Sequence, residues 1–249
     1  MHQQRYGNQP QGIQQQHVPQ GMQQHQQHQA MQQGMQQQGQ TYSSQNIQPQ
    51  LNHGGHEMFD LHEVLAGMIN VLDQYMIFRT FVKDQELLDI LDRQYHFILS
   101  EYDTTVESFS TGRKPSRETS TYMMKGSTQV TYGLKPSQPK KPNQSLADVK
   151  DAGISGHMLG LIKSSASLLT MTAVEATNPV VRRVLASQVQ NYIEMAYEIF
   201  LYQNKNAYYQ VPQLQQSDMQ QMVKGYAEHQ GEPSMPSYQN PNQRPNYMN

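Results

Sequence analysis

Carboxylates and imidazoles recur in this chain at spacings that a metal centre could use. A di-metal site inside a helical bundle takes an inward Glu from each of two helices and a Glu-x-x-His pair from each of the other two. Glu63, Glu101, Glu175 and Glu194 could form a carboxylate layer of that kind, yet Glu-x-x-His occurs nowhere in the 249 residues. Residues 179–206 contain no histidine, and Glu194 and Glu198 flank Tyr197 where a ligand histidine would be expected. The other candidates, Asp60 and His62 near Glu63, His96 near Glu101 and His157, do not complete the pattern. Glu57, Asp60 and Glu63 read instead as acidic complements to a helix N-terminus.

Weaker constellations fare no better. His53-Gly54-Gly55-His56, with His62, offers imidazoles on a flexible stretch, which suits adventitious metal affinity more than a built site. Ser155-Gly156-His157 has no orienting acid beside it, so a hydrolytic triad lacks support. Gly153, Gly156 and Gly160 fall inside a helical pattern and not after a strand; they read as small residues that let that helix approach a neighbour. With no cysteine in the chain, disulfides, thiol nucleophiles and thiolate metal sites are all excluded. The residues therefore assign no catalytic, cofactor-binding or metal-ligating role, and the expectation is a protein without a cofactor that is not an enzyme.

The elements that would position any site are helices. Leu61, Val64, Leu65, Met68, Leu72, Tyr75 and Met76 recur at three- and four-residue steps, predicting a helix over about 57–82. Leu88, Leu91, Tyr95, Ile98, Tyr102, Thr105 and Phe109 predict a second over about 84–110, folded back on the first as a hairpin. Ile154, Met158, Leu161, Ile162, Leu168, Leu169, Thr172 and Ala176 mark a third over about 151–177. Asn178-Pro179, a good N-cap followed by proline at the first helical position, starts a fourth over about 179–206. Its core face holds Val181, Val184, Leu185, Tyr192, Met195, Ala196, Ile199 and Phe200.

Between the hairpins, residues 112–150 are rich in Pro, Ser, Thr and Lys, and Pro115, Pro136, Pro139 and Pro142 forbid a continuous helix. A helix of about 26 residues is roughly 39 Å long, a distance that about 12 extended residues cover. The connection can thus run the full length of a bundle. Two antiparallel hairpins joined by such a crossover describe an all-α, ferritin-like four-helix bundle. Gln129-Val130-Thr131-Tyr132 could add a short strand-like or helical segment against it.

Flanking stretches complete the organisation. Residues 1–55 are Gln/His/Met-rich with one formal charge, at Arg5, and 213–249 are rich in Gln, Asn, Pro and Tyr. Both have too few apolar side chains to offset the entropy of ordering them, so both are expected to be disordered around a body spanning 56–212. A net charge of −2 and a pI near 6.5 give no global attraction to nucleic acid or anionic membranes. Arg113, Lys114, Arg117, Lys125, Lys135, Lys140 and Lys141 nonetheless make the crossover locally basic, and an anionic-polymer site would require them to form one exposed stripe. Charge interrupts every apolar stripe, so no transmembrane segment is expected. The N-terminal stretch does not read as a signal peptide.

Two segments are distinctive enough to compare with a known family: Asp151-Ala152-Gly153-Ile154-Ser155-Gly156-His157-Met158-Leu159, and Asn191-Tyr192-Ile193-Glu194-Met195-Ala196-Tyr197-Glu198-Ile199-Phe200-Leu201-Tyr202-Gln203-Asn204-Lys205, closing with Ala207-Tyr208-Tyr209-Gln210-Val211-Pro212. They resemble the spore coat protein F family of endospore-forming bacteria, the chain looking most like its longer, coat protein F-like members. A glycine commonly precedes the aromatic pair in that family, where Asn206-Ala207 stands here. The resemblance covers roughly 57–212. It implies a ferritin-like bundle without metal ligands, made without a signal peptide in the cytoplasm of sporulating cells and built into the spore coat as a non-enzymatic structural protein. Other coat proteins, or further copies of the chain, are the implied partners, with no specific nucleic acid. Abundant Gln, Lys and Tyr suit such a role. The competing reading is a ferritin-like metalloprotein with an unconventional or degenerate carboxylate site, which requires Glu63, Glu101, Glu175 and Glu194 to converge on one buried layer.

Overall fold

The computed structural model describes residues 53–126 and 128–234. The expectations for residues 1–52 and 235–249 lie outside the described residues. Helix α1 spans Gly55–Arg79, α2 Gln85–Thr111, α3 Asp151–Glu175, α4 Pro179–Lys205 and α5 Gln216–Val223.

Local chemistry sets the helix ends. The α1–α2 turn is longer than the sequence suggests, because α1 stops at Arg79 and the Asp84 side chain starts α2 by accepting from the Glu86 amide at 2.8 Å. Gly112 ends α2 in the left-handed conformation (φ 62°), which glycine adopts without steric cost. Asn178 caps α4 as expected, its Oδ1 accepting from Val180 N at 2.9 Å and Val181 N at 3.3 Å, with Pro179 in the first turn.

The helix ladder closes into a four-helix bundle. α1 packs on α2 and α3, and α4 packs on the same two, so each hairpin contributes two adjacent corners and the crossover must connect opposite ones. This is the ferritin-like arrangement of two antiparallel hairpins. The Lys83 amide donates to Asp151 Oδ1 at 2.9 Å at one end, and His53 reaches the Phe109 carbonyl at the other. The crossover consequently travels the bundle's whole length.

Core composition departs from the expected stripes most in α2. Leu87, Ile90, Leu91 and Ile98 are buried, but so are Gln94, Glu101, Thr104, Thr105 and Ser108, whereas Leu88, Tyr95, Tyr102 and Phe109 are only half-buried. The buried face is rotated by about one position from the apolar one because polar side chains on α2 bond across the interior. Likewise Met76 is exposed and Val71 buried on α1, and Phe200 is half-buried beside a fully buried Ile199. Of the α3 glycines, a Cβ on Gly156 would meet Gln203 at ordinary contact distance, while Gly153 and Gly160 face open space, so none of the three is needed for a close approach to a neighbouring helix.

The segment after residue 212 also differs from expectation. Instead of continuous disorder, it contains the eight-residue α5, which has no buried residue. Met219 is its one half-buried residue, and the others are exposed.

Candidate functional site

The densest chemistry of the molecule lies where the crossover is strapped to α4. Asn191 and Glu198, seven residues apart, share one side of the helix, while Asn204 sits about 120° round from them in its last turn. Each takes hold of backbone in the crossover. Asn191 accepts from Tyr122 N at 2.9 Å and donates to the Ser120 carbonyl at 3.0 Å; Asn204 accepts from Thr131 N at 2.7 Å and donates to the Thr131 carbonyl at 3.0 Å. A side-chain amide thus does what a neighbouring strand would do. Glu198 accepts from Lys125 N at 2.9 Å between them. Beyond α4 the crossover forms a single parallel bridge, Tyr132 with Val211, which is the strand-like contact that Gln129–Tyr132 suggested.

Glu198 is the hub. Its Oε1 also accepts from Arg93 Nη2 at 2.5 Å, and its Oε2 from the Tyr122 hydroxyl and from Gln94 Nε2 at 3.3 Å. Gln94 passes the network on, accepting from Tyr75 OH at 2.9 Å and donating to the Met195 carbonyl at 3.1 Å. Burial and the Glu198 charge push the Tyr122 phenol well up, so it remains a donor. Four donors saturate the carboxylate. It can hold chain together, but it has no lone pair left to serve as a base or a ligand.

A second buried layer sits deeper, between α2 and α4. Glu101 Oε2, Gln188 Oε1 and Tyr192 OH are all buried without a hydrogen-bond partner among the described residues, although Gln188 Nε2 donates to the Glu101 carbonyl at 3.1 Å and to Thr105 Oγ1 at 2.8 Å. Burial raises the Glu101 carboxyl to about 7, opposed in part by a hydrogen bond from Asn191. Burial there disfavours the charged form, so the neutral acid persists to higher pH than it does for an exposed carboxyl.

The carboxylates of the metalloprotein reading do not share a layer. Glu101 is buried, Glu194 half-buried, and Glu63 and Glu175 exposed. Among the described residues, no three His, Asp or Glu side chains are grouped so as to hold a metal ion. Nor do the histidines among the described residues form a site. His62 and His96 are exposed, and His157 stacks on Phe78 with ring centroids 5.9 Å apart. Ser155 is buried and donates to the Asp151 carbonyl at 2.7 Å, with Gln203 Nε2 3.2 Å from its oxygen.

Glu57 and His53 need correcting most. Glu57 is fully buried and not a solvated helix-end residue: Oε2 accepts from Thr177 N at 2.8 Å, Thr177 Oγ1 at 2.5 Å and Asn178 N at 3.0 Å. Burial acts to raise its carboxyl, but the hydrogen bonds from Thr177, His53 and Asn178 outweigh it and hold the group below the usual carboxylate range. His53 lies 2.8 Å from Glu57 Oε1 through Nδ1 and 2.9 Å from the Phe109 carbonyl through Nε2. Both nitrogens are thus engaged in tying α1, the end of α2 and the α3–α4 turn together.

The strap-holding residues lie in the portion of the chain that matches a known domain. A family model described as the Coat F domain matches residues 150–212, which include α3, α4 and the Val211 bridge. Over 179 residues the chain is 60% identical to the spore coat protein F-like protein YhcQ of Bacillus subtilis (strain 168), covering 72% of this chain and 82% of that protein. The chain belongs to the spore coat protein F family. Among solved structures, a spore coat protein from Bacillus halodurans C-125 aligns at a TM-score of 0.47 and 15% identity, over 66% of this chain and 95% of that one.

In sequence, Asn191, Glu198 and Asn204 were visible only as polar members of the family-like segment 191–205, with Glu198 weighed as a metal ligand and set aside. What they bind was not visible, because Ser120, Tyr122, Lys125 and Thr131 lie 69 to 73 positions away. No helix among the described residues is long and apolar enough to cross a membrane.

Proposed function

We propose that the protein is a non-enzymatic structural component of the bacterial spore coat, in which a bundle of about residues 56–212 forms the rigid body and the flanking polar stretches add weak multivalent contacts to other coat proteins or to further copies. The observation that carries this reading is the use made of the buried ionisable groups. Glu198 and Glu57 are each consumed by several donors that pin one part of the chain to another, as a load-sharing scaffold requires. Membership of a spore coat family supports the location.

Imaging the fluorescently tagged chain in sporulating cells tests it. The full chain is expected to form a ring around the forespore and to stay with purified spores, whereas a chain lacking residues 1–55 keeps its helical signal but assembles less completely. A signal spread evenly through the mother cell would defeat the proposal. So would purified protein that retains about two iron or manganese ions per chain after chelator washing and loses them on Glu101→Ala, in favour of the metalloprotein.

A further inference from the structure

The crossover leaves the bundle and returns to it, and the loop it makes encloses a groove. From Thr131 to Asp148 every residue is exposed, yet both ends of the loop are fixed. Gln210 accepts from Lys135 N and donates to the Lys135 carbonyl at 3.2 Å, while Ser145 and Asp148 cap one another across the short turn Leu146–Asp148. Between these anchors Pro136, Pro139 and Pro142 each fix a backbone angle, and Lys140 Nζ donates to the Tyr208 carbonyl at 3.2 Å. The groove between this loop, the first turn of α3 and Tyr208 has a volume of about 840 Å³.

Its charge is one-sided. Lys135, Lys140, Lys141 and Lys150 line it against a single carboxylate, Asp148, so four ammonium groups less one anion leave a surplus of three in a chain whose net charge is −2. Asp148 Oδ2 is already occupied by Gln144 N, Ser145 N and Ser145 Oγ, and these hydrogen bonds hold the group below its ordinary range. Arg113, Lys114 and Arg117 follow the far end of α2 instead, so the crossover cations do not form one stripe. Four of the charges that could meet an anion are gathered in the groove.

We propose that this groove docks an acidic, extended peptide segment of a neighbouring coat protein, a proposal that rests on the coat-component reading above. The amides of Ser137, Gln138, Lys140, Lys141 and Asn143 make no hydrogen bond within the described residues, so an extended chain can pair with them while its carboxylates meet the lysines. The same crossover already accepts such pairing at Tyr132–Val211 and at Gln210. Single-stranded nucleic acid fits less well, because Tyr208 is the only aromatic side chain in the lining and the cations are lysines, without the planar fork of arginine.

Fluorescence anisotropy on the full chain with a labelled hexaglutamate peptide tests the assignment, with a hexaglutamine peptide and an oligonucleotide of equal charge for comparison. Hexaglutamate should bind, weaken as salt rises, and lose about tenfold or more with Lys140→Glu/Lys141→Glu. It should be unaffected by Arg182→Glu/Arg183→Glu, an exposed pair at the start of α4. All four positions are exposed, so the helical signal of both variants should match the parent. Absence of hexaglutamate binding, equal loss in the two variants, or oligonucleotide binding as tight as the peptide's would overturn the proposal. Tagging both forms separates it from the coat reading. If the parent chain does not reach the spore, the coat reading fails; if parent and groove variant both reach it while hexaglutamate does not bind, the groove proposal alone fails.

Discussion

Ala207 shows how much a single backbone angle can matter at the end of a long helix. It takes a positive φ of 57°, the only non-glycine among the described residues to do so, while Ala207 N bonds to the Asn204 carbonyl at 3.0 Å and Tyr208 N to the Gln203 carbonyl at 2.8 Å. Those two bonds close a Schellman motif, whose left-handed position normally belongs to glycine. Holding an L side chain there costs about 1 kcal/mol, partly offset by the greater unfolded-state freedom of glycine. Ala207→Gly is therefore expected to leave stability unchanged or raise it by up to about 1 kcal/mol in urea denaturation; a clear loss would show that the methyl group makes a contact worth more than the strain. Glu198 behaves oppositely. Truncating it to alanine strands Arg93 and the Tyr122 hydroxyl together and should cost about 3 kcal/mol or more, measurable in the same experiment. A cost under about 0.5 kcal/mol, typical of surface positions, would remove its role as hub.

The crossover has little regular structure beyond the Leu146–Asp148 turn and the Tyr132–Val211 bridge, yet side chains of α4 hold its backbone. Asn191 satisfies one backbone donor and one backbone acceptor, and Asn204 one donor and two acceptors, the second on Tyr209, so removing both amides leaves five groups to find water. Each lost bond is worth about 1 kcal/mol, and the helices retain their own packing without it. Asn191→Ala/Asn204→Ala should accordingly raise amide hydrogen exchange across residues 120–131 while α1 to α4 keep most of their protection. Uniformly faster exchange throughout the bundle would mean that the strap and the helices unfold as one unit.

At the scale of the whole molecule, two buried carboxyls set opposite slopes on stability against pH. The folded chain raises Glu101 from 4.5 to about 7, so it binds that proton more tightly than the unfolded chain does. Stability from this group therefore falls as pH rises between these values, by roughly 3 kcal/mol in all. Glu57 is shifted downward; its contribution is present above the unfolded carboxylate value and is lost as pH falls through the lower folded one. The bundle should be most stable in mildly acidic solution. Glu101→Gln removes the first slope, so relative to the parent it should gain far more stability at pH 8 than at pH 5 by chemical denaturation. An equal effect at both would show that Glu101 titrates like an exposed carboxylate.

By itself the sequence determined four helices, their hairpin pairing and the length-spanning connection, because helix periodicity, the Asn178-Pro179 start and proline spacing are local signals carried within a few residues. It also carried the family resemblance, in α3 and α4. Which polar residues were interior was decided only by tertiary structure. Nothing local marks Glu57, Gln94, Glu101, Gln188, Asn191 and Glu198 as interior, because burying a polar group is costly unless partners satisfy it, and most of those partners come from other helices or the crossover. The same reason explains the rotated face of α2, where apolar periodicity points to Tyr95 and Tyr102 but Gln94 and Glu101 occupy the interior. A saturated clamp at Glu198 and a lysine-lined groove under residues 134–144 both arise from long-range approach, and no local pattern encodes a contact between residues seventy or more positions apart.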